Sequence, residues 1–238
     1  MDVTTLTEQL RGKFIVLDGP DGCGKSTQRE LLEGVLASAG ADVVCCRDPG
    51  GTPIGDRIRK VLLDYDLSEM NVNCEALLFM ASRAQLVAEI IEPALGSGKT
   101  VLCSRFVSST CAYQGAAGYD PRRVIELARF AIGDRWPDWT VVLDVDVEEG
   151  FKRIGRKPKH AGKNRKKFSG QPTLFQQDDA ESATDAMEAR PIDFHRKVRQ
   201  VFLELDEYYP TPAVTVDARG DQKEVHRCIL ECLARVAT

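Results

Sequence analysis

Gly19-Pro-Asp-Gly-Cys-Gly-Lys-Ser26 is the stretch on which the fold of this chain depends. It matches the pattern G-x-x-x-x-G-K-[ST], and it lies between an apolar run, Phe14–Asp18, and a helical pattern over Thr27–Ala39. A strand that ends in a glycine-rich turn and leads into a helix gives a concave site whose backbone amides bind phosphate. Lys25 is placed to reach the β- and γ-phosphates of a nucleotide, and the Ser26 hydroxyl to ligate Mg²⁺. A glycine-rich turn that contains Lys-Ser by chance is the alternative, but the flanking strand and helix favour a nucleoside triphosphate site.

Strand and helix patterns alternate along the rest of the chain. Strands are predicted at Phe14–Asp18, Asp42–Cys46, Thr100–Cys103, Thr140–Val145 and Ala213–Val216. Helices are predicted at Thr27–Ala39, Ile54–Leu63, Cys74–Leu95, Pro121–Ile132, Val147–Gly155, Ala189–Leu205 and Lys223–Val236. Such alternation is typical of a parallel sheet with right-handed crossovers and helices on both faces. We therefore expect an α/β protein with a five-stranded parallel sheet in three layers, in which ligands bind at the carboxyl ends of the strands.

Length and composition indicate a globular protein that can build its own core. The 238 residues suit one large domain, 1–238, with an insertion at about 152–188. No run is apolar enough for a membrane helix, and the first eleven residues lack the apolar segment of a signal peptide. We therefore expect a cytoplasmic protein with no membrane partner. The eight cysteines include no Cys-x-x-Cys pair and are interpreted as free thiols in the core.

A charged segment interrupts the regular pattern. Residues 152–167 hold nine Lys or Arg and no Asp or Glu, and the overlapping stretch 157–184 lacks periodicity and turns acidic near Asp178. Clustered positive charge usually contacts phosphate groups, in a nucleotide or in a nucleic acid. We favour a nucleotide contact, and the alternatives are a solvated loop or a nucleic-acid surface.

Two further segments supply candidate ligand-binding side chains. Arg47-Asp-Pro-Gly-Gly-Thr-Pro53 follows the second strand, where a binding loop is expected, and Arg47 can grip an anion with two hydrogen bonds. In the helix predicted at Cys74–Leu95, an apolar stripe is expected at Leu77, Ala81, Ala84, Ala88 and Ile91. Phe79 and Arg83 lie off that stripe but share a face at i, i+4, which suits a base stacked near a phosphate. A core phenylalanine and a surface arginine without a shared role are the alternative.

The segment after the third strand makes the pattern specific. Ser104-Arg-Phe106 is followed by Ser109-Thr-Cys-Ala-Tyr-Gln-Gly115. Together with Asp-Gly-x-Gly-Lys-Ser-Thr at 21–27, Arg-Asp-Pro-Gly-Gly-Thr at 47–52 and Phe-x-x-x-Arg at 79–83, this ordered set resembles the bacterial thymidylate kinases. The match runs from about residue 14 to 154 and resumes near 185. The resemblance implies a P-loop kinase fold with an inserted lid, and transfer of a phosphoryl group from ATP to dTMP with Mg²⁺.

The resemblance also implies roles for particular residues. ATP would be bound by the P-loop and its exit, which comprise Gly19, Pro20, Asp21, Gly22, Cys23, Gly24, Lys25, Ser26 and Thr27. The substrate dTMP would be bound by Asp21, Arg47, Phe79, Arg83, Arg105, Ser109, Thr110, Tyr113 and Gln114, with the Phe79 ring stacked on thymine and Tyr113 under the sugar. Lys25, Arg105, Arg153 and Arg156 would be the catalytic cations, and Ser26 would hold the metal. Thymidylate kinases are typically homodimers, so a second copy of the chain is the expected protein partner.

Two features depart from the family's pattern. Ser104 stands where the family usually has an Asp that steadies Mg²⁺ or its water, so weaker handling of Mg²⁺ is expected. Arg153 and Arg156 match the start of the lid, with Arg165 as a further candidate, but a long insertion separates them from the matching end at Asp185-Ala-Met-Glu188. Two alternatives therefore stay open: a kinase for another nucleoside monophosphate, or a nucleotide-binding protein of this fold with weakened catalysis.

Overall fold

A single parallel sheet organises the computed structural model, which describes residues 2–63, 70–156 and 190–237. Its strands are β1 Phe14–Asp18, β2 Val43–Arg47, β3 Thr100–Ser104, β4 Trp139–Asp144 and β5 Ala213–Asp217. All neighbours pair in parallel, in the order β2-β3-β1-β4-β5. The predicted five-stranded parallel sheet is confirmed, and every strand boundary lies within one residue of its predicted position.

The helices of the described residues begin and end close to the predicted positions. They are α1 Val3–Leu10, α2 Lys25–Ser38, α3 Pro53–Leu63, α4 Val72–Leu86, α5 Glu92–Gly96, α6 Val107–Ala116, α7 Pro121–Ile132, α8 Val147–Arg153, α9 Ile192–Leu203 and α10 Gln222–Val236. Side-chain caps fix several starts, at Asp2, Asn71, Asp120 and Asp221. Two helices, α1 and α6, were not predicted. Most residues of α6 are buried, so no amphipathic period marks it in the sequence.

The long helix predicted at Cys74–Leu95 is divided in the structure. A π-helical turn over Val87–Ile91 separates α4 from α5, and the N–H of Glu92 donates to the carbonyl of Val87. Pro93 follows directly, with no N–H of its own and a ring that crowds the carbonyl four residues earlier. A wider turn at this point accommodates the proline without ending the helical path.

The buried face of α4 differs from the predicted apolar stripe. Leu77 is 56% exposed, and the stripe positions Ala81 and Ala88 are exposed as well, whereas Met80 and Arg83 are buried. The stripe prediction is therefore wrong for most of its members. The helix has apolar residues on two sides, and a helical period alone does not tell which side meets the core.

Two hydrophobic clusters cover the two faces of the sheet. Alternate residues of β1 point to opposite sides: Phe14 and Val16 belong to one cluster, and Ile15 and Leu17 to the other. The first cluster continues into α4, α6, α7 and α9, and the second into α1, α2 and α10. These helices and the sheet make the three layers that the sequence predicts.

The cysteines and the membrane expectation can be compared with this fold. All eight cysteines are free, and seven are at least partly buried, whereas Cys74 is exposed. No helix within the described ranges combines the length and the apolar character needed to cross a membrane. The predicted lid end at Asp185–Glu188, the candidate Arg165 and the stretch 157–184 lie outside the described residues.

Strand register brings the predicted binding segments to one edge. Ser104, at the end of β3, pairs with Leu17 of β1 on one side and with Arg47 of β2 on the other. The segments that follow these three strands therefore leave the sheet side by side. This is the edge at which open parallel sheets bind ligands.

Candidate active site

The P-loop, residues 19–26, carries the chain from β1 into α2. Gly24 caps α2 with a left-handed backbone, at φ 96°, which a residue with a side chain rarely adopts. The Lys25 ammonium group is buried inside the turn and donates to the carbonyls of Gly19 at 2.9 Å and Pro20 at 2.8 Å. Its charge is thus fixed beside the helix N-terminus, where a phosphate group would bind.

The P-loop is in direct backbone contact with α8. A Cβ atom on Gly22 would lie 2.0 Å from the carbonyl oxygen of Gly150, and one on Gly150 would lie 2.3 Å from the carbonyl oxygen of Asp21. Both distances are far shorter than a nonbonded contact allows, so each position requires glycine. The loop and the helix that leads to Arg153 are therefore seated on each other through their main chains.

The larger of two cavities at this edge, about 730 Å³, is called the P-loop cavity. It is lined by Asp21, Gly22, Cys23, Gly24, Lys25, Ser26, Thr27, Gln28, Arg105, Arg153, Ile154, Ala218, Gly220, Asp221, Gln222 and Val225. Seven of the nine predicted ATP-binding residues are among them; the other two, Gly19 and Pro20, hold Lys25 instead. The Arg153 guanidinium donates to the carbonyls of Ala218 at 2.8 Å and Arg219 at 3.2 Å. Arg153 is therefore tied to the loop after β5.

The second cavity, about 160 Å³, is called the inner cavity. It is lined by Asp21, Asp48, Pro49, Arg59, Leu63, Phe79, Arg83, Arg105, Ser109, Thr110, Tyr113 and Gln114. The structure brings together eight of the nine residues predicted to bind dTMP. The ninth, Arg47, has a side chain 58% exposed and pairs with Asp56 at 3.6 Å. Arg59 of α3, which was not predicted, lines the inner cavity and donates to the carbonyl of Pro49 at 2.9 Å.

Arg83 is the largest fully buried side chain of the inner cavity. Its Nε donates to the Asp48 carboxylate at 2.6 Å, and its Nη2 donates to the carbonyl of Phe106 at 3.0 Å and the hydroxyl of Thr110 at 2.9 Å. Burial raises the pKa of Asp48, and the Arg83 guanidinium opposes that shift. A charged pair removed from water needs such partners to be stable. Arg83 is therefore a rigid donor, in contrast to the surface arginine of the alternative interpretation.

Asp21 and Arg105 line both cavities. Arg105 is the first residue after β3 and has a positive φ of 67°, which a non-glycine residue adopts at a cost in backbone energy. Its Nη2 donates to Asp21 Oδ1 at 2.6 Å, and its Nη1 lies 3.3 Å from the Tyr113 hydroxyl, which itself donates to the same Oδ1 at 2.8 Å. This backbone turn directs a cation to the boundary between the cavities.

The Asp21 carboxylate is held in its charged form. Burial alone raises the pKa of Asp21, but Arg105 and then Lys25 outweigh it, so the pKa is lowered well below the ordinary value of 3.8. Two cations and one anion thus meet where the cavities join. Such an arrangement can neutralise a phosphate group and still keep a hydrogen-bond acceptor for a hydroxyl or a metal-bound water.

Arg156 and His195 approach Asp21 from behind the P-loop. Arg156 stacks over the Phe151 ring at 4.1 Å and lies 3.9 Å from Asp21 Oδ2. His195 Nδ1 lies 3.6 Å from the same oxygen, and its Nε2 lies 3.3 Å from Arg156 Nη2. Because a guanidinium can only donate, Nε2 must accept, and this puts the ring proton on Nδ1. Burial lowers the pKa of His195 to about 4, so the ring is neutral near pH 7.

Sequence reasoning missed several residues of this site. No motif marks His195, which enters through the packing of α9 on α8 and α6. Arg59 could have been predicted from the sequence, because it lies in the helix that directly follows the predicted binding loop. It is one helical turn after Gly55, which lies near the start of that helix. Glu75 and Arg190 were also missed; Arg190 donates to Glu75 at 2.8 Å beside Gln114.

Comparisons with known proteins show the family of the chain. The family model for thymidylate kinase matches residues 17–229. The thymidylate kinase of Halothermothrix orenii is 42% identical over 220 residues, which cover 92% of this chain and 94% of that protein. The thymidylate kinase of Pseudomonas fluorescens is 40% identical over 210 residues, with 88% and 89% of the two chains covered. The thymidylate kinase of Protochlamydia amoebophila is 38% identical over 228 residues, with 94% and 93% covered. The chain belongs to the thymidylate kinase family.

Proposed function

We propose that the P-loop cavity binds ATP, that the inner cavity binds dTMP, and that the γ-phosphoryl group passes between them at Asp21 and Arg105. The observation that carries this assignment is that these two residues line both cavities. A phosphate oxygen of dTMP attacks the γ-phosphorus, the bond to the β-phosphate oxygen breaks, and ADP and dTDP are the products. Catalysis of this reaction rests on position and charge neutralisation. Membership of the thymidylate kinase family supports both substrates.

On the ATP side, Lys25 would neutralise the charge of the β- and γ-phosphates, and Arg105 would neutralise the charge of the γ-phosphoryl group during its transfer. The contacts of Arg153 with the loop after β5 support a role at the nucleoside end of the P-loop cavity. Arg156 lies beside Asp21 and supports a role nearer the phosphates. Both arginines begin the segment that we infer to be the lid, and the remainder of that segment lies outside the described residues.

On the dTMP side, Phe79 supplies a ring for stacking on thymine, and Arg83 and Gln114 supply polar groups for its edge. Arg59 and Arg105 are the arginines whose positions best suit the 5′-phosphate. Arg47 keeps its role from the family resemblance alone, because its guanidinium pairs with Asp56 outside the lining of the inner cavity.

Mg²⁺ fits the residues present as a metal bound mainly through the substrate. Among the described residues no group of three or more His, Cys, Asp and Glu could hold a metal ion. Ser26 lines the P-loop cavity at the start of α2, and Mg²⁺ at nucleotide sites usually takes few protein ligands beside phosphate oxygens and water. Ser26 would hold the ion, which would supply charge neutralisation on the phosphates. Ser104 adds a hydroxyl at the end of β3 and no charge.

We also propose that the protein is a homodimer and that it is located in the cytoplasm. The helices α3, α4 and α7 pack side by side and leave large apolar side chains in water, namely Ile54 at 51%, Leu77 at 56% and Phe130 at 91% exposed. Exposed apolar side chains of this size on helices that pack together support an association surface. The exposed stripe of α4 would be covered by a second copy. Sedimentation of the protein should give the mass of two chains, and Leu77→Glu should shift it toward one.

The test of the catalytic proposal is coupled ADP release with ATP and each of dTMP, dUMP, dCMP and dAMP. Turnover should be highest with dTMP, and Lys25→Ala should abolish it, whereas Lys60→Ala on the exposed side of α3 should not. Preference for the purine nucleotide would refute the assignment. Nucleotide binding without ADP release would favour the weakened binding protein, the alternative that Ser104 and the altered lid motivate.

A further inference from the structure

Glu75 is a buried carboxylate beside the inner cavity that the proposed reaction does not use. Its side chain is 6% exposed, and its two oxygens face different partners. Oε1 accepts from Arg190 Nη2 at 2.8 Å, and Oε2 accepts from Gln114 Nε2 at 2.8 Å. The Arg190 guanidinium also lies over the Phe194 ring at 4.6 Å, which fixes its plane.

This contact decides which way the Gln114 amide faces. A carboxylate can only accept, so it can bind the NH₂ group of Gln114 and repels the carbonyl oxygen. Gln114 Oε1 has no hydrogen-bond partner among the residues that the structure describes, although the side chain is fully buried and lines the inner cavity. A buried carbonyl without a partner is costly unless a ligand supplies the donor.

We infer that Glu75, held by Arg190, is a positioning residue that sets base specificity by fixing Gln114 with its carbonyl oxygen toward the bound base. This inference rests on the proposed binding of dTMP in the inner cavity. Thymine and uracil present an N3–H donor at the centre of their pairing edge. Cytosine presents an unprotonated N3 there, whose lone pair would face Gln114 Oε1. The fixed amide therefore admits thymine and uracil and rejects cytosine, because a site built for a donor is left unpaired by a base without one.

The substitution Glu75→Gln tests the orientation directly. Arg190 can only donate, so it will hold the carbonyl oxygen of the new glutamine and turn its NH₂ group toward Gln114. Gln114 must then rotate its own oxygen toward that NH₂ group and present its NH₂ to the base. We expect kcat/KM for dTMP relative to dCMP to fall about 10- to 100-fold, the size of one buried unpaired group.

Two internal controls separate this effect from general damage. The ratio of kcat/KM for dTMP to that for dUMP should change by less than about twofold, since both bases carry the N3–H. Glu126→Gln, which neutralises an exposed carboxylate on α7, should leave all three substrates unchanged.

A double variant gives a rescue. In Glu75→Gln combined with Arg190→Met, the new glutamine is free to turn its oxygen back to Gln114. The dTMP to dCMP ratio should recover toward that of the unmodified enzyme. Thermal shifts on adding dTMP, dUMP or dCMP give the same ratios from binding if Glu75→Gln folds but turns over slowly.

The outcomes are distinct. Equal losses for dTMP, dUMP and dCMP in Glu75→Gln, or a double variant with no recovery, would overturn the inference and leave Glu75 a structural residue. Absence of dTMP phosphorylation by the unmodified enzyme would instead overturn the proposed function.

Discussion

The inner cavity and the P-loop cavity meet at Asp21 and Arg105 but differ in the kind of groups that line them. The P-loop cavity is formed by a glycine-rich turn, a helix N-terminus and a mixture of buried and exposed side chains around a wide space. The inner cavity is formed by side chains that are buried and already paired, as Arg83 is with Asp48 and Gln114 with Glu75. Backbone amides can bind phosphate groups whatever the base, whereas fixed side chains can discriminate between bases. We therefore expect selectivity for the base to lie on the side where polar groups are desolvated before the substrate arrives.

The largest effect should come from breaking the buried pair of the inner cavity. Arg83→Met leaves the Asp48 carboxylate without its cation, which should lower the free energy of unfolding by about 3–5 kcal/mol. Urea denaturation measures the loss. Arg122→Met on the exposed start of α7 is the matched control and should change stability by less than about 0.5 kcal/mol. If the Arg83 variant and the unmodified enzyme were equally stable, the buried Arg83–Asp48 pair would not be the stabilising contact described for this cavity.

The boundary between the cavities should show the next largest effect, in turnover rather than in stability. Arg105→Met removes the cation shared by both cavities and should lower kcat about 100- to 1000-fold, as loss of a preorganised charge donor does. Arg47→Met should cost clearly less, because Arg47 lies outside the lining of the inner cavity. Steady-state kinetics of both variants with dTMP will rank them. An equal loss in the two variants would return Arg47 to the phosphate-binding set.

A third test uses pH and the region behind the P-loop. The pKa of His195 is lowered by burial from 6.5 to about 4, so between these values the unfolded chain takes up a proton that the folded one does not. Stability should therefore fall as pH falls from 6.5 toward 4, by about 2 kcal/mol from this residue at pH 5. The lowered pKa of Asp21 acts in a separate window, below its ordinary value of 3.8.

Denaturation curves of His195→Gln at pH 7 and pH 5 measure that contribution. The variant should lose less stability between the two pH values than the unmodified enzyme. If both proteins lost the same stability between pH 7 and pH 5, the folded chain would protonate His195 as readily as the unfolded chain does. His195 would then be charged in the folded protein at pH 5, contrary to its burial.

The smallest effect is expected at Ser104. Ser104→Asp adds a carboxylate at the end of β3 and should lower the Mg²⁺ concentration for half-maximal turnover by about two- to tenfold, since carboxylates are the preferred ligands of this ion. Ser104→Asn, similar in shape and uncharged, should leave it unchanged. An unaltered Mg²⁺ requirement in the Asp variant would remove Ser104 as an explanation for weak metal handling.

Local patterns in the sequence were enough for the sheet and for most of the site. Each strand is an apolar run bounded by a turn, and the motifs after β1 and β3 supply six of the eight predicted dTMP-binding residues that line the inner cavity. The other two, Phe79 and Arg83, were predicted from their shared face on a helix. Those motifs predict function well because their binding residues lie in the loop or the helix that directly follows a strand end.

Contacts between distant segments could not be predicted in the same way. Glu75 and His195 belong to helices whose periodicity says only that one face is buried, and Arg190 lies just before α9, outside any helix. Their partners depend on how α4, α6 and α9 pack. The stripe on α4 failed for the same reason: Leu77 and Met80 are both apolar, and only tertiary packing decides that Met80 is buried.

The contact between Gly22 and Gly150 has a consequence for recombining this enzyme with its relatives. Neither glycine tolerates a Cβ, so the main chain of α8 is complementary in shape to the main chain of this particular P-loop. A chimera that takes its P-loop from one parent and α8 from another must preserve this close main-chain contact between two backbones of different origin. Crossover points are therefore better placed before β1 or after α8, so that both segments are inherited together.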